Sequence, residues 1–224
     1  RKGFAFHLAG DQHLGSTIQY GVDEWNDSGF ALCVPSIANH WPRRWYPYIE
    51  GVNRNPDKPK YTGEFKDGFG NKMTVHAVSN PLFTGNKPSR LYDRAAGYGI
   101  IKLNKKNRNI IVECWPRRSP EKLKNNEQYE GWPIKLNQED NYGRQAKGFL
   151  PQIVVEGIEK PVIQIINEKS NEIVYSLRLH KNNFKPKVFD ISTTYTIKIG
   201  EPDKEEWKTL KAIKPGNDQL FVKF

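Results

Sequence analysis

The feature that most limits what this chain can become is the period of its apolar residues. No 3.6-residue repeat persists beyond about two turns. Short runs of β-branched and aromatic residues recur along the whole length instead, bounded by Gly, Pro, Asn and Asp clusters. A chain patterned in this way cannot stack helices and must bury its apolar side chains in sheets. The expected fold class is mainly β.

The pattern is densest after Gly148. Ile153–Glu156, Val162–Asn167, Glu172–Leu179, Tyr195–Ile199 and Leu220–Val222 each suit a short strand, with turn residues at roughly the 8–12-residue spacing of sandwich folds. Residues 148–224 are therefore predicted to form a small β-sandwich, similar to the immunoglobulin-like modules appended to secreted enzymes. No acid pair, histidine cluster or exposed aromatic row marks them as a catalytic unit. A structural or attachment role is expected there, with carbohydrate binding as the outlying alternative.

Residues 1–147 form the other predicted domain. Thr17–Val22 and Phe30–Ile37 read as strands paired antiparallel across the Asn26-Asp27-Ser28-Gly29 turn. Residues 51–72 read as a long loop. Met73–Ser79 reads as a strand whose His76 is a partly buried side chain rather than a ligand. Tyr98–Leu103 and Asn109–Trp115 form a hairpin about the charged turn at 104–108, stopped by Pro116. From Arg117 to Lys147 the sequence reads as irregular, with Asp93-Arg94 a local ion pair and Arg144 a linker residue.

The chemistry gathers near the start. Phe4–Ala9 is an apolar run, expected to be a buried strand, that stops at Gly10 and at once delivers Asp11 and His13. Such strand ends place polar groups at a sheet edge where ligands bind. Residues two apart share a face if the chain stays extended, and a carboxylate and an imidazole can then share one divalent ion. The alternative is an Asp that closes a turn beside a surface His. The expected pairing at Asn26–Gly29 would return Asn39, His40, Arg43 and Arg44 toward the same edge. Arg43 and Arg44, between Trp41 and Trp45, read either as a bidentate phosphate clamp or as guanidinium groups stacked on indoles for structure.

Gly10-Asp11-Gln12-His13-Leu14-Gly15, Cys33–Asn39, Trp41–Trp45, Val75–Pro81, Asp93–Gly99 and Glu113–Arg117 together resemble the C-terminal portion of PhoD-like alkaline phosphatases and phosphodiesterases, within the calcineurin-like metallophosphoesterase superfamily. The resemblance covers roughly the first 145 residues. It implies that this part supplies the C-terminal strands of an α/β metallophosphoesterase sandwich. It also implies that His13 matches the second histidine of the last metal motif, with Asp11 standing where the first would be. The family's earlier metal motifs do not occur in this sequence, so a complete site would need an upstream segment of the same protein. The implied cofactors are divalent metal ions (zinc, iron, manganese or calcium), and the implied substrate is a phosphate ester. Asp11 and His13 would be the catalytic and metal residues, and Asn39, His40, Arg43 and Arg44 the substrate-binding ones. The family also implies a periplasmic or extracellular location. A non-catalytic β-rich binding or cell-surface attachment module is the alternative.

Composition bounds both readings. With 224 residues, 37% of them hydrophobic, there is enough material to bury a core but no apolar run long enough to span a membrane. The formal charge of +10 favours anionic ligands. Its lysines and arginines are scattered, which suggests a solvated basic surface rather than a nucleic-acid face. Cys33 and Cys114 stand alone in apolar segments and read as free buried thiols, with a disulfide as the alternative in an oxidising compartment.

Overall fold

The structure is a computed structural model that describes residues 3–38, 43–82, 94–117, 127–138 and 144–224. It is mainly β, and no α-helix forms among the described residues. The chain divides into two compact units, Ala5–Gly143 and Arg1–Phe4 with Arg144–Phe224.

The first unit contains β1 (His7–Ala9), β2 (Ser16–Tyr20), β3 (Phe30–Cys33), β4 (Gly63–Lys66), β5 (Lys72–Val78), β6 (Gly97–Leu103), β7 (Asn109–Pro116) and β8 (Ile134–Asn137). The first five make one sheet in the order β1-β3-β2-β5-β4, and the last three a second in the order β6-β7-β8. β2 and β3 pair antiparallel with Ser16 opposite Cys33. Their connection is held by Asp27, whose carboxylate accepts hydrogen bonds from the backbone N–H groups of Val22, Asp23 and Glu24 at 2.6, 3.1 and 3.1 Å. The hairpin β6–β7 forms with Leu103 opposite Ile110.

Leu32 of β3 and Ala77 of β5 meet Ile110, Val112 and Cys114 of β7, together with Tyr129 and Trp132, in one buried cluster. The Trp132 indole N–H donates to Thr17 Oγ1 at 3.2 Å, which satisfies a donor that burial would otherwise strand. Both cysteines are free. Burial pushes the Cys114 thiol far above its ordinary range, as expected of an inert core thiol.

Three expectations for this unit need correction. The run before Gly10 is not a buried strand: among the described residues β1 is a sheet edge, paired with β3 alone and exposed at all three residues. The 51–72 segment is not all loop, because Gly63–Lys66 pairs with β5 and Val52 bridges Glu64. Ile134–Asn137, taken as irregular, pairs with β7. Both missed strands are four residues long with charged members, too short to show a period of two. Asp93 and residues 118–126 and 139–143 lie outside the described residues.

The second unit holds β9 (Gly148–Phe149), β10 (Gln152–Glu156), β11 (Val162–Asn167), β12 (Glu172–Arg178), β13 (Asn183–Phe184), β14 (Lys187–Val188), β15 (Tyr195–Glu201), β16 (Glu206–Ile213) and β17 (Gln219–Lys223). They form a four-stranded sheet β12-β11-β15-β16, a three-stranded sheet β13-β10-β17 and the pair β14-β9. Alternate residues Ile163 and Ile165, Tyr175 and Leu177, and Tyr195, Ile197 and Ile199 are buried, the period of two expected of sheets with one face inward. The buried Tyr175 hydroxyl donates to Lys187 O at 3.0 Å, and Phe4 meets the Tyr175 ring edge-on at 5.7 Å. Arg144 lies over the Phe189 ring, 4.5 Å from its centroid.

Candidate functional site

The loop from Gly10 to Gly15 joins β1 to β2 and is fastened at its far end. Gly15 N–H donates to Ser79 Oγ at 2.6 Å, and Ser79 N–H returns a bond to Gly15 O at 2.8 Å. A Cβ on Gly15 would stand 2.9 Å from Pro35 Cδ, 3.0 Å from Ser79 Oγ and 3.1 Å from Cys114 Sγ. Only glycine fits there without displacing buried neighbours.

Within that loop the chain is not extended, contrary to expectation. Asp11 and His13 both take left-handed backbone angles, with φ of 62° and 58°, a region that Asp and His enter more readily than most residues. The turn still brings the two side chains together: His13 Nε2 lies 3.4 Å from Asp11 Oδ1. The carboxylate is almost fully exposed, at 96%, and the imidazole largely covered, at 14%. The second ring nitrogen, Nδ1, is buried and makes no hydrogen bond.

A separation of 3.4 Å is longer than a charge-assisted hydrogen bond of about 2.7–2.9 Å. It equals the distance between two ligands each about 2.1 Å from one tetrahedral ion, roughly 3.4 Å. The pair therefore fits two positions of a metal's coordination shell. Among the described residues no group of three or more His, Cys, Asp or Glu side chains converges to complete one. Cys33 lies close by but is no third ligand. Burial raises its thiol above the ordinary range, the Gln12 backbone hydrogen bond works the other way, and the Asp11 charge raises it again.

Gln12 and Leu14, the residues between and after the pair, line a groove of about 610 Å3 together with Arg43, Arg44, Trp45, Tyr46 and Tyr48. Trp45 is what places the arginines. Its backbone N–H donates to Asn80 Oδ1 at 2.7 Å, and its carbonyl accepts from Asn80 Nδ2 at 2.8 Å, so one buried amide side chain pairs with Trp45 as a strand would. The indole N–H donates to Tyr61 O at 3.0 Å, and the ring meets Phe65 edge-on at 5.4 Å. Tyr46 packs edge-on against Tyr61 at 5.9 Å. Burial and the Glu130 carboxylate hold the Tyr61 hydroxyl protonated well beyond the usual range.

Arg43 and Arg44 are exposed. The Trp45 ring is committed to Phe65 and Tyr61, so the guanidinium groups are carried beside it at the groove. Neither has an ion pair or hydrogen bond among the described residues. Asn39, His40 and Trp41 lie outside the described residues. His76 stacks on Phe30 at 5.2 Å with Nε2 buried, and burial, with a smaller contribution from the Lys58 charge, lowers its pKa to about 4. It is a neutral, half-buried histidine at physiological pH.

The groove residues Gln12, Leu14, Tyr46 and Tyr48 and the clamp Asn80 were not foreseen from sequence. The alternation within Gly10–Gly15 held the signal for the first two, since a pair at 11 and 13 leaves 12 and 14 to point elsewhere. Comparison of the chain with family models, curated proteins and solved structures returned no match.

Proposed function

We propose that the chain carries part of the centre of a metal-dependent phosphatase or phosphodiesterase. His13 and Asp11 would contribute two ligands, and a segment outside residues 1–224 would supply the rest. The observation that carries the proposal is the juxtaposition of a ligand-spaced imidazole and carboxylate in one loop with a groove bearing two arginines that make no ion pair among the described residues. A bound divalent ion supplies Lewis acidity at the phosphoryl oxygens and a water of lowered pKa. Asp11 and His13 hold that charge at the sheet edge. Arg43 and Arg44 offset the negative charge of the ester and fix its orientation by paired N–H donors, which a lysine could not do bidentately. Residues 148–224 would serve as an immunoglobulin-like accessory module, and the proposed location, periplasmic or extracellular, rests on the resemblance to the PhoD-like family.

The test is metal content and p-nitrophenyl phosphate turnover of a protein that includes the upstream segment. His13→Ala should lower both metal occupancy and turnover by tenfold or more, the scale on which even supporting residues of a metal site act, about 10–100-fold. Turnover unchanged in His13→Ala refutes the assignment.

A further inference from the structure

Beside the arginine groove lies a second, smaller cavity of about 230 Å3, lined by Gln12, Leu14, Ser16, Ile18, Trp45, Met73, Val75 and Val78. Gln12, Leu14 and Trp45 border both spaces, so one ligand can occupy them together. The chemistry of the two differs sharply. The groove presents guanidinium groups and phenols, whereas the smaller cavity is walled mainly by aliphatic side chains, a thioether and an indole, with Gln12 and Ser16 as its two polar members.

The cavity has a structural cause. Ile18 of β2 stands opposite Val75 of β5, and Tyr20 opposite Met73, with a register shift between Thr17 and Ile18. Thr17 reaches the buried Trp132, while Ile18 and Met73 stay only half-buried. The Trp45 segment covers this face from one side, held off by the Asn80 clamp. A half-covered apolar wall beside two exposed cations is a site with a water-exposed, anion-binding end and a dry end.

Resting on the proposed phosphoester chemistry, we infer that the substrates are phosphate esters of a hydrophobic alcohol, with the phosphate at Arg43 and Arg44 and the apolar group seated against Leu14, Ile18, Trp45 and Met73. An apolar cavity of roughly 150 Å3 takes a benzene ring, so 230 Å3 takes one aryl ring or a short alkyl chain. It is smaller than the pockets of about 300–1,000 Å3 that hold drug-sized molecules. Esters of sugars or glycerol carry several hydroxyls, more than Gln12 and Ser16 can pair, and those left against the aliphatic wall cost binding energy.

The experiment is calorimetric titration of the 224-residue chain, with chelator present, against inorganic phosphate, glycerol 2-phosphate and phenyl phosphate. Phenyl phosphate should bind about tenfold tighter than glycerol 2-phosphate, within what the ring carbons add at ordinary ligand efficiency. Ile18→Thr, and independently Leu14→Ala, should erase that preference and leave phosphate affinity unchanged. Arg43→Ala combined with Arg44→Ala should weaken all three ligands. Equal affinities, a preference that survives both apolar replacements, binding indifferent to the arginines, or no binding of any of the three each overturn the inference. The hydrolase proposal fails by a different readout, since metal-dependent turnover and His13→Ala do not enter the titration. An inactive longer enzyme with the aryl preference intact would sink the hydrolysis and leave the binding preference standing.

Discussion

Asn80→Ala should release the arginine-bearing segment while leaving the sheets beneath it intact. Asn80 is 5% exposed, and its amide makes hydrogen bonds of 2.7 and 2.8 Å to the backbone of Trp45. Each such bond contributes about 0.5–1.5 kcal/mol net, so losing both costs roughly 1–3 kcal/mol of closure. That corresponds to a 5- to 160-fold rise, in order of magnitude, in the open population of the segment. The core cluster around Val112 and Trp132 shares no hydrogen bond with Asn80, so global urea stability should fall by less than the local figure. Hydrogen exchange at the Trp45 amide reads the local opening directly, and phosphate titration reads its consequence for Arg43 and Arg44. Asn80→Asp is the sharper control. It keeps an acceptor for the Trp45 N–H but sets a carboxylate against the Trp45 carbonyl, and it should loosen the segment at least as much until acid protonates the new group. Exchange at Trp45 unchanged within about twofold in Asn80→Ala, against the rise worked above, would refute the reasoning. So would faster exchange with unaltered phosphate affinity.

Two further outcomes follow from buried groups. The His76 pKa is about 4 in the fold and near 6.5 unfolded; below pH 6.5 the unfolded chain takes a proton that the fold refuses. Stability should therefore fall by up to about 3 kcal/mol as pH drops from about 6.5 to 4, and His76→Phe should flatten that slope in urea midpoints taken near pH 7 and pH 4.5. Gly15→Ala should destabilise by about 1–3 kcal/mol through overpacking against Pro35, Ser79 and Cys114, with Cys114→Ala restoring part of the loss in thermal midpoints.

The mainly β class was legible because a period of two survives in the longer strands. Val162–Asn167 coincides with β11, and the hairpin from β6 to β7 extends its expected strands by one residue at one end of each. β16 escaped because Glu206–Ile213 shows no apolar alternation, and all eight of its residues are exposed or half-buried. The Asp11 and His13 pair was legible from residue type, although its geometry was not. An extended chain would have placed the two on one face by pleating, whereas the structure does it with two left-handed residues in a turn. The groove was half legible. Arginines between tryptophans announce an anion site or a stack, and what holds Trp45 in place is a hydrogen-bonding asparagine 35 residues further along, a separation no local pattern can signal.

The turn at Gly10–Gly15 reaches with left-handed residues the division of side chains that pleating would have given an extended chain. With Asp11 and His13 left-handed, their side chains converge on each other, while Gln12 and Leu14 line the groove and its apolar annex. On the proposed function, consecutive residues would serve two tasks, charge-holding at 11 and 13 and ligand contact at 12 and 14. Because the Ser79 bonds fix the end of the turn, neither pair can shift without moving the other. A ligand that fills the groove against Gln12 and Leu14 therefore rigidifies the loop that carries His13 and Asp11. By linkage, whatever those two residues bind must in turn favour the groove's ligand.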